Sequence, residues 1–457
     1  MGKINLNNVR HVHFIGIGGI SMSGLAEILY KDGFTVTGSD DRTSTPTIDH
    51  LRSVGIDITA IGSNAQHLAK ADLVVYTAAI KDDNPELSGA RSMGIPTMVR
   101  AELLGEILKG YEYAVCVAGT HGKTSTTGMI TGITLAAGLD PTVNIGGYVG
   151  GTNYHVGQSP YFILEACEYS NSFHHWHPYI GVILNIDADH MDFYSSMDAI
   201  IESFAKFAHN IRPSGTLIIQ EGIPGFDKIT EGLECEVITF NGNNSRYRAK
   251  NITANQDSTQ SFDITEAHNI NVRINLPLPG TYNIENALAA YAVARVLGVE
   301  PEIIVRALAN TQGVKRRYEH KGNFNGTNII DDYAHHPTEI VACLAAARSA
   351  HPGRIICLFQ SHTYTRTKTF FEDFANSFAD ADMTVFVPIF AAREPFDPTI
   401  SAKQLSERVE QLGKPSINCE SLEEAEAFLR GKLLPDDLLI TMGAGDVYLV
   451  GERLLGL

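Results

Sequence analysis

The sequence predicts an α/β protein of three successive units, and three observations carry the prediction. Near residues 11–29 and again near 113–133, an apolar strand runs into a glycine-rich turn that opens a helical pattern. From residue 321 the alternation of apolar runs and helical stretches starts afresh. At 457 residues the chain also exceeds what one ordinary core holds.

Composition narrows the class. The chain is 44% hydrophobic and 19% charged, as globular proteins are. No apolar run approaches membrane-spanning length, and the opening MGKINLNNVR lacks the apolar region of a signal peptide. The six cysteines (116, 167, 235, 343, 357 and 419) include no C-x-x-C pair. In a chain of this length they read as reduced, buried thiols in the cytosol, with neither zinc nor disulfides. A net charge of −17 argues against non-specific nucleic-acid binding but leaves local loops free to hold anions.

The first unit, residues 1–109, begins with HVHFIGI at 11–17, a strand ending among Gly16, Gly18 and Gly19. Helical spacing through Met22, Leu25, Ile28 and Leu29 follows, then a strand over 35–37 that ends at Gly38, Ser39 and Asp40. This is the layout of a Rossmann-like dinucleotide fold, with Asp40 near the usual distance for a ribose contact. The third glycine of G-x-G-x-x-G falls on Ser21, so the reading broadens to a pyrophosphate or related anion above residues 16–21. LVVYTAAI at 73–80 predicts another strand, 101–108 a helix, and Gly110 a boundary.

The middle unit, residues 110–320, is organised around YAVCVAGTHGKTSTTG at 113–128. A strand over 114–118 enters the turn Gly119, Thr120, His121 and Gly122, and Lys123, Thr124 and Ser125 open a helix. Glycines let N–H groups converge on an anion, and the helix N-terminus adds positive potential. The lysine reaches terminal phosphates, and the hydroxyl after it can ligate Mg²⁺. Val117 stands where G-x-x-x-x-G-K-[ST] needs its first glycine, so the loop is shorter than standard. A bare strand–helix turn with a surface lysine is the competing reading; the coincidence of strand, G-x-x-G-K-T and helix favours a P-loop ATPase-like unit.

Two apolar strands, 161–166 and 179–186, end at Glu165, Cys167 and Glu168 and at Asp187, Asp189 and His190. Carboxyl ends of parallel strands are where such sheets bind ligands. Residues 235–275 are polar and predict short strands and loops; 282–297 and 301–309 predict helices. The third unit, 321–457, predicts strands at 354–360, 382–390 and 437–442 with helices at 368–379, 402–412 and 423–429, again Rossmann-like.

Each chemical candidate has two readings. Glu165 is either a Mg²⁺ ligand beside Thr124 or a strand-end carboxylate satisfied by backbone N–H. His190 is either a metal ligand or a structural hydrogen-bonding residue. Asn283 reads as a helix cap, while Asn286 is harder to explain by packing. Arg316 and Arg317 form either a solvated basic pair or a clamp on a transferring phosphoryl group. Asp331, Asp332, His335, His336 and Glu339 lie within nine residues, a density that favours an active site.

With these stretches assembled, the whole chain resembles the Mur ligases, the ATP-dependent amide ligases of peptidoglycan precursor synthesis. HFIGIGGISMSGLAEIL, GTHGKTSTT, NIDADHMD, GTYNIENALAA, GVKRRYE, DDYAHHPTEI and GAGD stand in that family's order. The resemblance implies ATP and Mg²⁺ as cofactors, and UDP-N-acetylmuramate and L-alanine as substrates, joined through an acyl phosphate. It implies no nucleic-acid partner, no membrane insertion and a cytoplasmic location. Lys123 would neutralise ATP phosphates within the loop Gly119 to Ser125; Thr124 and Glu165 would hold one Mg²⁺ and His190 a second. Asn286, Arg317 and Asp331 would contact ATP, and Gly16, Gly18, Gly19, Ser39 and Asp40 the uridine diphosphate. Tyr333, His362 and Arg366 would face substrate, with His335 or His336 as base. Two departures stand out: EACEYS at 165–170 where the family commonly has EADESD, and Thr363 where many relatives have arginine. The alternatives are a recycling ligase that attaches a preformed tripeptide, a non-catalytic nucleotide-gated binding protein and an NAD-dependent oxidoreductase. The last leaves Gly119 to Thr124 unexplained.

Overall fold

In the computed structural model both glycine turns emerge from parallel sheets. Residues 6, 8–62, 65–77, 80–149, 152–191, 193–255, 259–266, 270–392 and 394–457 are described. They fall into two units, Met1–Asp187 with Met197–Ser245 and Ala289–Ile303, and Ala188–Ser196 with Arg246–Leu288 and Ile304–Leu457.

The first unit holds β1 (His11–Ile15), β2 (Thr35–Asp40), β3 (Asp57–Ala60), β4 (Leu73–Tyr76) and β5 (Thr97–Val99). They form a parallel sheet in the order β3-β2-β1-β4-β5, the Rossmann-like arrangement. The strand order reverses next to β1, which places its glycine turn at the switch point where such sheets take ligands. β2 runs on through Gly38 to Asp40, beyond the expected 35–37. Gly38 is needed there because a Cβ would lie 2.5 Å from Ile17 Cδ1. β4 stops at Tyr76, short of the expected 73–80, and residues 78–79 lie outside the described residues.

The same unit continues with β6 (Tyr113–Ala118), β7 (Thr142–Val149), β8 (Thr152–His155), β9 (Tyr161–Glu165), β10 (Ile180–Ile183), β11 (Thr216–Gln220) and β12 (Glu236–Phe240). Their order is β12-β11-β10-β6-β9-β7-β8, parallel except for the β7–β8 hairpin. β6 lies between β10 and β9, and Val115, Cys116, Val117 and Ala118 are wholly buried. Burial on both faces explains the unbroken apolar run.

The second unit contains the antiparallel β13 (Tyr247–Ala254), β14 (Gln260–Glu266) and β15 (Ile270–Leu276). At 8, 7 and 7 residues these are longer than the short strands expected from the polar composition, with 256–258 and 267–269 outside the described residues. The polarity reflects exposure, since β13 is exposed from Lys250 onward. The unit's larger sheet comprises β16 (Glu319–Phe324), β17 (Thr327–Asp332), β18 (Ile355–Phe359), β19 (Met383–Phe386), β20 (Ser416–Asn418) and β21 (Leu438–Met442). Its order is β16-β17-β21-β18-β19-β20, parallel apart from β16. Alternate residues feed two cores: Ile330, Cys357, Phe359 and Ile440 on one face, Ile329, Ile356, Leu358 and Leu439 on the other. The helix expected over 368–379 divides into Tyr364–Thr369 and Phe371–Asn376, because Phe370 leaves helical geometry (φ −108°, ψ 28°).

Candidate active site

In the first glycine turn, Gly16 adopts φ 78°, a conformation that suits glycine. The N–H groups of Gly16 and Ile17 donate to the Ser39 carbonyl at 2.8 and 3.0 Å. The Gly18 N–H donates to Asp40 Oδ2 at 2.9 Å, and the Arg42 N–H to Oδ1 at 3.0 Å. Asp40 therefore fixes the turn from one side. Ser39 is fully buried, and its hydroxyl donates to Glu86, so it supports the turn through its carbonyl. Burial opposes ionisation of Glu86, but His13, 3.6 Å away, and hydrogen bonds from Ser39 and Gly62 outweigh it and hold the carboxyl below its usual value.

The phosphate loop leaves β6 at Gly119, with φ 142°, where a Cβ would meet Leu184 Cβ at 3.0 Å. Gly122, with φ 84°, caps the helix Lys123–Ala136, and Ser125 is half-buried in its first turn. The loop is stapled from the end of β10. Thr120 N–H donates to the Asn185 carbonyl at 3.1 Å and His121 N–H to Asn185 Oδ1 at 2.8 Å. Asn185 Nδ2 returns a bond to the His121 carbonyl at 3.0 Å, and Asp187 N–H donates to Thr120 Oγ1 at 2.9 Å. Asp187 Oδ2 also lies 3.2 Å from His121 Nε2.

Lys123 Nζ donates to the carbonyls of Gly119 and Thr120 at 2.6 and 3.0 Å and to Glu168 Oε1 at 3.1 Å. Burial alone would pull this ammonium down, but Glu168 more than offsets it and pushes the pKa up to about 12. The lysine is therefore charged throughout the physiological range. Thr124 Oγ1 donates to Glu165 Oε2 at 2.9 Å, and the Gly146 N–H donates to the same oxygen at 2.8 Å. Both readings of Glu165 thus meet in one geometry: a backbone N–H satisfies it, and it stands beside the loop hydroxyl.

In the second unit, Asp331 and Asp332 end β17. Asp331 is wholly buried, accepting from Arg316 Nε at 3.0 Å and Thr441 Oγ1 at 2.7 Å. Asp332 accepts from the Tyr318 and Ala334 N–H groups, each at 2.7 Å, and burial pushes its carboxyl up to about 6. Arg316 and Arg317 lie 4.9 and 5.2 Å from the Tyr333 ring centroid, so this tyrosine carries two guanidinium contacts. Asn283 and Asn286 are both buried, and Asn286 Nδ2 donates to Asn283 Oδ1 at 3.3 Å.

The two histidines of DDYAHH differ. His336 Nδ1 accepts from the Thr338 N–H at 3.4 Å and caps the helix Pro337–Ala350, while Nε2 lies 3.0 Å from the Ala188 carbonyl. His335 Nδ1 meets the Tyr333 carbonyl at 3.0 Å. A proton on Nδ1 leaves the lone pair on Nε2, the tautomer a base requires. His362 stacks on Phe390 at 5.8 Å; burial, with His335 and Arg366 beside it, pushes its pKa down to about 4. Arg366 Nη2 donates to Asp189 Oδ1 at 2.8 Å. Burial opposes ionisation of Asp189, but Arg366 outweighs it and holds the carboxyl well below the usual range. The His190 N–H donates to Asp189 Oδ1 at 2.7 Å, and its backbone takes φ 54°. Thr363 also has positive φ, at 66°, an outlier for a β-branched residue, and its hydroxyl caps the helix that carries Arg366.

Sequence reasoning missed Asn185, because the strand expected over 179–186 swallows it, whereas β10 ends at Ile183. An asparagine closing an apolar run was the available signal. It also missed that Arg316, and not Arg317, pairs with Asp331.

Residues 11–112 match the Mur ligase family, catalytic domain; 117–294 the Mur ligase middle domain; and 316–445 the Mur ligase, glutamate ligase domain. The UDP-N-acetylmuramate–L-alanine ligase of Clostridium novyi is 47% identical over 451 residues, covering 98% of each chain. Among solved structures, UDP-N-acetylmuramate-alanine ligase from Thermotoga maritima matches with a TM-score of 0.81 and 27% identity, over 98% of this chain and 99% of that one. A murein peptide ligase from Psychrobacter arcticus matches at 0.70 and 25% identity, over 98% of both. The chain belongs to the Mur ligase family.

Proposed function

We propose that this protein joins L-alanine to the carboxylate of UDP-N-acetylmuramate, using ATP, in peptidoglycan precursor synthesis in the cytoplasm. One observation carries the reading most: a lysine, a hydroxyl and a carboxylate converge at the phosphate loop of a chain 47% identical to a ligase of that name. Residues 1–109 are assigned to the sugar nucleotide, 110–320 to ATP, and 321–457 to ATP and the amino acid.

A sugar carboxylate oxygen attacks the γ-phosphorus; an acyl phosphate forms and ADP leaves. The alanine amine then attacks the acyl carbon, and phosphate leaves from the tetrahedral intermediate. Both steps build negative charge, which Lys123 and Arg317 are assigned to stabilise. Thr124 and Glu165 present the hard oxygens that Mg²⁺ takes beside phosphate, and His190 is assigned to a second ion. Bound there, Mg²⁺ would neutralise phosphate charge. The ammonium of alanine must lose a proton before it attacks, and His335, with its lone pair on Nε2, is the assigned base. Asn286 and Asp331 are assigned to ATP, Gly16, Gly18, Gly19 and Asp40 to the uridine diphosphate, and His362 and Arg366 to substrate. Tyr333 is assigned to the wall of the alanine pocket; one methylene is worth only about 1–3 kcal/mol, so exclusion of larger side chains must dominate selection.

The recycling ligase is the reading not favoured: the likeness to a murein peptide ligase, at 25% identity, is weaker than the 47% identity to an L-alanine ligase. ADP release with UDP-N-acetylmuramate and each amino acid in turn tests both. Release dependent on L-alanine is expected; release with a preformed tripeptide and none with alanine would overturn the proposal.

A further inference from the structure

Arg100 is the first residue of the helix Arg100–Leu108, the end of a helix where positive charge is disfavoured. It is largely enclosed, and burial pulls its guanidinium below its usual value. Among the described residues no carboxylate pairs with it, and the one ionisable side chain acting on it is that of Cys167. Such a cation is costly to keep unless an anion arrives.

Its surroundings say where that anion comes from. Arg100 Nη1 donates to Ser21 Oγ at 2.8 Å, at the end of the first glycine turn. Ser21 Oγ in turn donates to Asn144 Oδ1 at 3.3 Å. Asn144 is buried on β7, paired in register with Leu164, the neighbour of Glu165, and its Nδ2 has no hydrogen-bond partner among the described residues. The guanidinium is thus tied to the turn assigned to the sugar nucleotide and lies near the strand ends that carry Glu165 and Cys167. The helix cannot drift: Trp176 Nε1 donates to the Ala101 carbonyl at 3.0 Å, and a Cβ at Gly105 would lie 2.5 Å from the His175 carbonyl.

We propose that Arg100, held by Ser21 and backed by Asn144, binds an oxyanion of the sugar nucleotide, either its diphosphate or the carboxylate that becomes the amide. A planar guanidinium suits both groups. The assignment rests on the function proposed above.

The test is equilibrium titration of UDP, UDP-N-acetylglucosamine, UDP-N-acetylmuramate and ATP into the wild-type full chain, Arg100→Gln and Arg100→Lys. Arg100→Gln should weaken UDP-N-acetylmuramate by about tenfold or more, as loss of a charge-assisted hydrogen bond does, with ATP unchanged. Arg100→Lys should recover part of the loss. Equal losses for UDP and UDP-N-acetylglucosamine identify the diphosphate; losses confined to UDP-N-acetylmuramate, which alone carries the carboxylate, identify that group. Without ligand, Arg100→Gln should be at least as stable as wild type, since it removes an uncompensated charge. The assignment is overturned if wild type binds UDP-N-acetylmuramate and Arg100→Gln binds it equally, or if ATP affinity falls in step. If wild type does not bind UDP-N-acetylmuramate, the proposed function falls and this assignment with it.

Discussion

Lys123→Met separates two roles that the structure combines in one ammonium. The Lys123 side chain is 13% exposed and that of Glu168 only 4%, with 3.0 Å between Nζ and Oε2. Sequence alone suggests that the lysine serves phosphate and not packing, so that its removal would leave the fold intact. The observed pair adds a cost in stability. Truncating one partner of a buried ion pair costs 3–5 kcal/mol, because the other charge stays behind in a poorly solvated site. The Gly119 and Thr120 carbonyls lose a donor in the same step. Methionine restores most of the volume, so the cavity contribution is small, and a loss of about 3 kcal/mol is expected. Adding Glu168→Gln removes the stranded charge and should recover about 2 kcal/mol of it, since neutralising both partners is far cheaper than removing one. Urea unfolding of wild type, both single variants and the double variant measures the cycle, with ADP release followed in parallel. Ligation should be abolished in both Lys123 variants. A double variant no more stable than Lys123→Met would refute the reasoning, and so would a Lys123→Met single variant as stable as wild type.

Three further outcomes are expected. Glu165→Gln should raise the Mg²⁺ requirement for ADP release, with partial rescue by excess metal; an unchanged Mg²⁺ titration would make Glu165 a structural strand end. Asn185→Ala removes both side-chain bonds to His121 and should weaken ATP binding severalfold while costing about 1–2 kcal/mol of stability; unaltered ATP affinity would show that the loop holds its shape unaided. Asp332, whose carboxyl is raised to about 6, binds its proton more tightly folded than unfolded. Its contribution is complete below the unfolded value of about 4 and is lost as pH rises through 6. Asp332→Asn should flatten the fall in unfolding free energy across that window, and an unchanged pH profile would count against it.

Legibility followed the range of the interactions. The glycine turns, the strands feeding them and the helices behind them are local patterns, and all appeared in sequence near their true places. Thr124, Lys123 and Glu165 could be named because each occupies a position defined by its own strand or turn. Their partners could not. Asn185 reaches the loop across 64 residues, and Arg100 reaches Ser21 across 79. Arg316 and Arg317 are neighbours in sequence with no local feature to rank them; only the fold, through a positive φ of 62° at Arg316, turns one onto Asp331. The two histidines of DDYAHH are separated by the same logic, because a cap and a carbonyl occupy His336 only once the chain has folded.

The thinned acidic stretch then acquires a physical meaning. EACEYS retains Glu165 and Glu168 but puts Cys167 and Ser170 where the resembled family commonly has aspartates. Glu165 is engaged by Thr124 and Gly146, and Glu168 by Lys123. Neither carboxylate is placed to compensate Arg100, and the neutral thiol at 167 cannot. An aspartate at 167 would put a negative charge where only the thiol now acts on the guanidinium. The substitution therefore leaves a surplus positive charge near the first glycine turn of a chain whose net charge is −17. Anion binding here depends on that local surplus, since charges beyond a Debye length of about 8–10 Å are largely screened at ordinary salt. Cys167→Asp should consequently compete with the bound oxyanion for Arg100 and weaken the sugar nucleotide in the same ligand-selective pattern as Arg100→Gln; affinity equal to wild type would show that the charge at 167 does not reach the guanidinium.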